Sequence, residues 1–226
     1  MTTPIGIIGT DTEIGKTYTC CKIMEYLAPQ DYPIASLKPI ASGVINTEDG
    51  PLNEDVYYLA KANPFYVTRS QINQFSFKLP IAPHIAAQME QVELTIQTIN
   101  AKLYPVIAQL SDLKTILIEG VGGLMVPLNN NETYLDLVGS WNCPLILVVG
   151  LKLGCLNHAL LTLSALHTAG LNVVGWIANQ VDPHMQAYAE NLEFLINHLS
   201  VPLLATITYH GQLEPTSQFK EIFQCN

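Results

Sequence analysis

The chain has 226 residues, 49% of them hydrophobic and only 13% charged, with a formal net charge of −9. That length suits one α/β domain with a sizeable core, and the apolar content excludes a disordered chain. The acidic balance argues against nucleic acid as a partner, so positive potential for any anionic ligand must be concentrated locally.

No charged N-region precedes an apolar stretch, so no signal peptide is expected. The cysteines Cys20, Cys21, Cys143, Cys155 and Cys225 are odd in number and lack metal spacing. Reduced thiols in a cytosolic protein are the expectation, with Cys20 and Cys21 as ordinary helix residues. In chain order, Pro4 to Gly9 is a short apolar strand and Gly15 to Leu27 the helix after it. Tyr32 to Lys38 forms a second strand. Leu94 to Leu110 places apolar residues at Leu94, Ile96, Ile99, Leu103, Val106, Ile107 and Leu110, which suits an amphipathic helix. Thr115 to Glu119 and Pro144 to Val149 are apolar runs of strand length. Cys155 to Ala169 is helical and ends at Gly170. Val173 to Ala178 and Pro202 to Ile207 are two more strands, separated by a helix around His184 to His198.

The span from Leu153 to Val181 lacks Asp, Glu, Lys and Arg, but Asn157, His158, His167, Gly170, Asn172 and Gly175 interrupt it. A membrane helix needs ~20 predominantly apolar residues; this span reads as helix, turn and buried strand. Strands apolar throughout imply burial on both faces. The expected architecture is therefore a single α/β domain over residues 1–226, with a doubly wound, mostly parallel sheet and helices on both faces. Ligands of such sheets sit outside the carboxyl ends of the strands. Lys38 leads into KPIASG, Glu119 into EGVGG and Leu151 into LKLGCLN, while Asn179 closes WIAN. All four segments fall on that one rim.

The stretch GTDTEIGKTYTC, from Gly9 to Cys20, carries the sharpest signal. Gly15-Lys16-Thr17 follows a strand and opens a helix, the context of a phosphate-binding loop. In that role Lys16 reaches the β- and γ-phosphates and Thr17 ligates Mg²⁺. The usual first glycine is replaced by Thr10, and a glycine stands one step early, at Gly9. Glu119 is a candidate for Mg²⁺, which takes few carboxylates together with phosphate oxygens and water. Asp55 is either a second metal carboxylate or a helix N-terminal acid. Lys38 is either solvated or, with Ser42 and Gly43 nearby, a clamp for a second anionic group. His84 reads as a base or as a helix-start histidine bonded to backbone, and Asn157 as a helix cap unless a ligand claims it.

Together, GTDTEIGKT, KPIASG, PHIAA, EGVGGLMVPL, LKLGCLNH and WIAN resemble, in order, the dethiobiotin synthetases of biotin synthesis. The resemblance implies a P-loop NTPase-like fold and a Mg-ATP-dependent ligase that closes a cyclic urea. 7,8-Diaminopelargonic acid reacts with CO₂ to give a carbamate, whose oxygen attacks the γ-phosphate of ATP. The resulting carbamic-phosphoric anhydride is closed by the second amine. Carried to this chain, the resemblance assigns Glu13, Ile14, Gly15, Lys16 and Thr17 to the phosphates, with Lys16 and Lys38 as the catalytic lysines. Gly120, Val121 and Gly122 also face the nucleotide, and Asn179, Gln180, Thr208, Tyr209 and His210 its base. Thr12, Lys38 and Ser42 contact carbamate or diamine, and Thr17, Asp55 and Glu119 surround Mg²⁺. It further implies a homodimer in which Leu153, Gly154 and Asn157 of the neighbouring subunit hold the substrate carboxylate. Departures are Val121 in place of alanine, Leu156 in place of isoleucine, Gln180 after Asn179, and the absence of a proline after Ile207.

The competing class is a switch-type P-loop ATPase that acts through protein partners. Loops of that class carry an extra lysine near their start, and Gly9-Thr10-Asp11 has none.

Overall fold

The computed structural model describes residues 2–47, 50–63 and 67–224, so Cys225 lies outside the described residues. The elements in chain order begin with β1 (Thr3–Gly9), α1 (Lys16–Leu27), β2 (Ile34–Leu37), β3 (Ile40–Ser42), β4 (Ile45–Thr47) and β5 (Gly50–Leu52). They continue with α2 (Glu54–Ala62), α3 (Arg69–Ile72), β6 (Phe75–Phe77), α4 (Pro83–Met89), α5 (Ile96–Gln109), β7 (Thr115–Glu119) and α6 (Tyr134–Trp141). The chain closes with β8 (Leu145–Leu151), α7 (Cys155–Thr168), β9 (Val173–Gln180), α8 (Tyr188–His198), β10 (Leu203–Ile207), β11 (Leu213–Pro215) and α9 (Ser217–Phe223).

Seven strands form the main sheet in the order β11-β10-β9-β8-β1-β7-β2. All neighbours are parallel except β10 and β11. The chain leaves β1, reaches the β2 edge, returns to β7, and then winds the other way through β8, β9 and β10. That reversal makes the sheet doubly wound and puts its switch point beside β1. Every residue of β7 and β8 is buried, which requires cover on both faces and explains their uninterrupted apolar sequences. Each fully buried Leu, Ile or Phe side chain contributes roughly 1.5–3 kcal/mol.

Register aligns the carboxyl ends along one edge. Ile7 pairs with Glu119, Leu37 with Ile118, Gly9 with Val148, and Asn179 with both Gly150 and Ile207. Lys38 therefore emerges alongside Glu119.

Several expected boundaries move. The second strand is limited to Ile34–Leu37, and after it the Lys38 N–H turns to the Ile72 carbonyl at 2.7 Å. The helix expected around His184 starts at Tyr188, after a turn in which the His184 N–H donates to the Asp182 carboxylate at 2.8 Å. The strand expected to end at Ala178 runs on to Gln180.

Between β2 and β7 the chain builds a layer the periodicity does not announce. It comprises the parallel pair β3–β6, the hairpin β4–β5 and the helices α2, α3 and α4. Asn53 caps α2 by accepting from the Asp55 and Val56 N–H groups, and its amide donates to the carbonyls of Ser42 and Gly43. One short side chain thus ties the helix carrying Asp55 to the strand carrying Ser42.

Candidate active site

The loop between β1 and α1 is tight. Glu13 has φ 57° and Gly15 φ 77°, and left-handed backbone is costly for most side chains but free for glycine. A Cβ on Gly15 would also collide with the Asn179 amide. Asn179 is buried, and its amide donates to the Ile14 carbonyl at 2.9 Å. It braces the loop from the end of β9.

Gly9 answers the irregularity at Thr10. A Cβ at Gly9 would lie 2.8 Å from both Cδ and Nζ of Lys16 and 3.0 Å from Cδ1 of Ile14. The glycine is needed one step early because the Lys16 stem folds back over it. The Lys16 amine then donates to the Asp11 carbonyl at 2.8 Å and to the Gly122 carbonyl at 2.7 Å. Burial, reinforced by the nearby Lys38 charge, pushes this amine down to about 8.

A compact charged cluster stands beside the loop. Lys38 Nζ lies 2.6 Å from Oε1 of Glu119 and 2.6 Å from Oδ2 of Asp55. The Thr17 hydroxyl donates to Glu119 Oε1 at 2.6 Å. Lys38 and Glu119 are 5% and 1% exposed, so neither is a solvated rim residue. Burial lowers the Lys38 amine, but the two carboxylates outweigh it and hold the ammonium above its usual range. Burial raises Asp55, and Lys38 with the Thr17 hydroxyl more than reverses it, so Asp55 is held low. At Glu119 burial prevails and the carboxyl is raised. Asp55 is at once an acid in the first turn of α2 and a partner of Lys38.

Among the described residues Glu119 Oε2, which is buried, has no hydrogen-bond partner. An unpaired carboxylate oxygen beside a hydroxyl and a second carboxylate is an all-oxygen donor set suited to a hard cation. Among the described residues no group of three or more His, Cys, Asp or Glu side chains is arranged for a metal. A divalent ion here would rely on Thr17, Asp55, Glu119 and its ligand's own oxygens.

The remaining expected residues surround this centre. Thr12 is exposed, with its N–H bonded to the Asp11 carboxylate at 2.8 Å, and a Cβ on Gly122 would sit 3.3 Å from its hydroxyl. The segment Gly120, Val121, Gly122 therefore packs onto the loop. Ser42 Oγ is buried, with no hydrogen-bond partner among the described residues. Gln180 accepts from the Tyr209 N–H at 3.2 Å, and Tyr18 donates to the Gly211 carbonyl at 2.8 Å, so the Thr208–Tyr209–His210 turn is tied to β9 and α1. The Tyr209 and His210 rings meet edge to face, 4.1 Å apart.

Two local readings change. Asn157 does not cap α7: Gly154, at φ 95°, holds that position, and Asn157 projects from the first turn into solvent. The His84 Nδ1 is buried, with no partner among the described residues, so the backbone bond expected for that histidine is not made there by any of them. Leu153 is 96% exposed. Among the described residues no hydrogen bond or ion pair joins Leu153, Gly154 or Asn157 to the Lys38–Glu119 cluster. Their segment meets the loop through Lys152 and Asp11, 3.5 Å apart.

Sequence reasoning missed Asn53, Gly9 as the seat of Lys16, and Tyr134, whose hydroxyl is buried against Gly120. Asn before a Glu-Asp pair is a legible helix cap, and Thr133-x-x-Asp136 a legible capping box.

A strand, a glycine-lysine-threonine loop and a helix, with acidic and basic groups on the next parallel strands, define a P-loop nucleotide-binding α/β domain. A family model described as an AAA domain matches residues 4–217. Solved structures of like fold include chloroplast FtsY from Physcomitrella patens, with TM-score 0.54 and 16% identity, covering 97% of this chain and 63% of that one. The signal recognition particle receptor FtsY from Elizabethkingia anophelis gives TM-score 0.50 and 14% identity, over 99% of this chain and 65% of that one. The chain thus spans less than two thirds of either neighbour, and the likeness concerns the fold alone.

Sequence relatives are more specific. The ATP-dependent dethiobiotin synthetase BioD of Vibrio vulnificus (strain YJ016) is 40% identical over 203 residues, 90% of this chain and 88% of that protein. Those of Aromatoleum aromaticum and Legionella pneumophila (strain Paris) are 39% and 38% identical, each over 92% of this chain and over 92% and 94% of the respective relative. This chain belongs to the family of ATP-dependent dethiobiotin synthetases.

Proposed function

We propose that this protein converts 7,8-diaminopelargonic acid, CO₂ and ATP to dethiobiotin, ADP and phosphate in biotin biosynthesis, as an ATP- and Mg-dependent carbon–nitrogen ligase. The observation that carries the reading is the cluster that joins the buried Lys38 and Glu119 to the partly exposed Asp55 and Thr17, beside Lys16, in a chain of this family. Two lysines, Lys16 and Lys38, stand side by side with the carboxylates of Asp55 and Glu119 where a triphosphate, a cation and a carbamate would meet.

The chemistry asks for positioning and charge neutralisation rather than a protein nucleophile. Glu13, Ile14, Gly15, Lys16 and Thr17 wrap the phosphates, with Gly120, Val121 and Gly122 closing over them. Lys16 exchanges its two carbonyl partners for phosphate oxygens. Lys38 neutralises the oxygen that attacks phosphorus and stays protonated because its carboxylates hold it so. Thr12 and Ser42 bind the carbamate or the diamine, and the unpartnered Ser42 hydroxyl supports that role. Asn179, Gln180, Thr208, Tyr209 and His210 bound the base. The Asn179 amide nitrogen is spent on Ile14, which leaves its oxygen for an amino group.

Thr17, Asp55 and Glu119 would hold Mg²⁺, which supplies charge neutralisation at the phosphates. The unpaired Glu119 Oε2 supports that assignment. The carbamate oxygen attacks the γ-phosphorus as the bond to ADP breaks. The second amine then attacks the carbamoyl carbon, expelling phosphate and closing the urea.

The proposal includes a homodimer in which Leu153, Gly154 and Asn157 of a second copy bind the substrate carboxylate. The exposure of Leu153, and of Leu161 at 62%, supports it. It also takes residues 1–226 as one domain and places the enzyme in the cytoplasm. Among the described residues no helix is long and apolar enough to cross a membrane.

The test is incubation with the diamine, bicarbonate and Mg-ATP, with ADP and dethiobiotin measured together. Stoichiometric formation of both supports the reading. ADP release that ignores the diamine favours a switch-type ATPase, and absence of turnover refutes the enzyme.

A further inference from the structure

Residues 208–212 join β10 to the edge strand β11 and carry the exposed side chains of Thr208, Tyr209 and His210. No proline stiffens them. The turn closes through the Gly211 N–H, which donates to the Thr208 carbonyl at 2.8 Å, and it is anchored from two sides. From β9, Gln180 accepts from the Tyr209 N–H at 3.2 Å. From α1, the half-buried Tyr18 donates its hydroxyl to the Gly211 carbonyl at 2.8 Å. Lys22, one helical turn further on, reaches the Gln212 side chain at 3.3 Å. Tyr18 directly follows Thr17, and its helix begins at Lys16. One rigid element therefore presents both the phosphate-binding N-terminus and the anchor of the turn.

We propose that Tyr18 is a positioning residue that sets the base-binding turn at a fixed distance from the phosphate loop, and so governs how much the nucleobase adds to triphosphate binding. An exposed loop with few internal bonds opens easily. Its grip on a base depends on its being held in place beforehand, because ordering it on binding costs affinity. The Tyr18 hydroxyl supplies that hold where the turn's own sequence does not. Its ring packs against the core and under the Lys22 amine, 5.3 Å from the ring centre, so the hydroxyl can be removed without emptying the space the ring fills. The inference rests on the proposed reading that Thr208, Tyr209 and His210 bound the base.

The test compares ATP with inorganic tripolyphosphate, both with Mg²⁺, by calorimetric titration of three proteins: wild type, Tyr18→Phe, and a turn variant carrying Tyr209→Ala and His210→Ala. The ratio of the two affinities is what the nucleoside contributes. One neutral hydrogen bond is worth roughly three- to tenfold, and Tyr18→Phe is expected to lower the ratio by about that factor. Tripolyphosphate affinity is expected to hold. KM for ATP should rise by the same factor while kcat at saturating ATP holds, whereas a merely structural role would lower tripolyphosphate affinity and kcat as well. A wild-type ratio in Tyr18→Phe, with a lowered ratio in the turn variant, overturns the inference and leaves the base-binding turn standing. A ratio unchanged in both variants overturns the base-binding turn along with it. Equal losses of ATP and tripolyphosphate in Tyr18→Phe also overturn the inference, since Tyr18 would then serve the phosphate loop. Should Tyr18→Phe prove too unstable to purify, Tyr18→Met, which keeps apolar bulk on a good helix former, is judged by the same outcomes.

Discussion

Replacing Gly9 by alanine should separate the site from the fold. The new Cβ would stand 2.8 Å from Cδ and Nζ of Lys16 and 3.0 Å from Cδ1 of Ile14. Ordinary carbon contacts need about 3.5 Å or more, so the lysine stem must withdraw by roughly 0.7 Å or leave its groove. Its amine is aimed by bonds to the Asp11 and Gly122 carbonyls, and displacement breaks that aim. A misdirected charge-assisted hydrogen bond to phosphate costs about 1.5–3 kcal/mol, or roughly 10- to 150-fold in affinity. The fold should suffer less. Lys16 is flexible, overpacking by one methyl costs about 1–3 kcal/mol, and removing a glycine from the unfolded chain returns about 0.4–1 kcal/mol. Calorimetric titration with Mg-ATP and a thermal melt provide the two readouts. A Gly9→Ala protein that binds ATP within twofold of wild type would refute the argument that Gly9 seats Lys16.

The Lys16 amine, depressed to about 8 by burial and Lys38, gives a second expectation. Triphosphate raises it again on binding, so above that pH binding must take up a proton. Apparent Mg-ATP affinity should fall about tenfold from pH 7 to pH 9, with proton uptake visible as a buffer-dependent binding heat; flat affinity with no uptake would refute it. Lys38→Ala should cut turnover roughly 100- to 1,000-fold while ATP binding in direct titration stays within about threefold. It should also lower stability by about 3 kcal/mol, because the fully buried Glu119 loses its cation. Loss of ATP binding instead would put Lys38 in the nucleotide site. Asn157→Ala should raise KM for the diamine and spare ATP affinity. Since Asn157 is not the cap of its helix, the melting temperature should not move by more than about 2 °C.

The rim was legible because parallel strands send all their carboxyl ends to one edge, and buried strands betray themselves as apolar runs. Thr115 to Glu119 has the expected limits, and the residue at its end is the centre of the charged cluster. Register was not legible. Nothing in KPIASG says that Leu37 will pair with Ile118 and bring Lys38 beside Glu119. That follows from which strands become neighbours. The layer between β2 and β7 stayed hidden for a different reason: its strands are three residues long, too short for any period to emerge. Asn157 read as a cap because capping is the common use of asparagine at such a place, yet Gly154 took the left-handed turn that starts α7.

The central claim is that the buried cluster beside Lys16 directs a carbamate oxygen onto the γ-phosphate. The most direct measurement supplies ¹⁸O-labelled CO₂ in unlabelled water, with the diamine and Mg-ATP, and analyses the phosphate before the label exchanges with solvent. Attack by the carbamate carries one labelled oxygen into the phosphate, and the account predicts that label in each phosphate formed with dethiobiotin. Unlabelled phosphate released alongside dethiobiotin would mean that water attacks the nucleotide, and would contradict it.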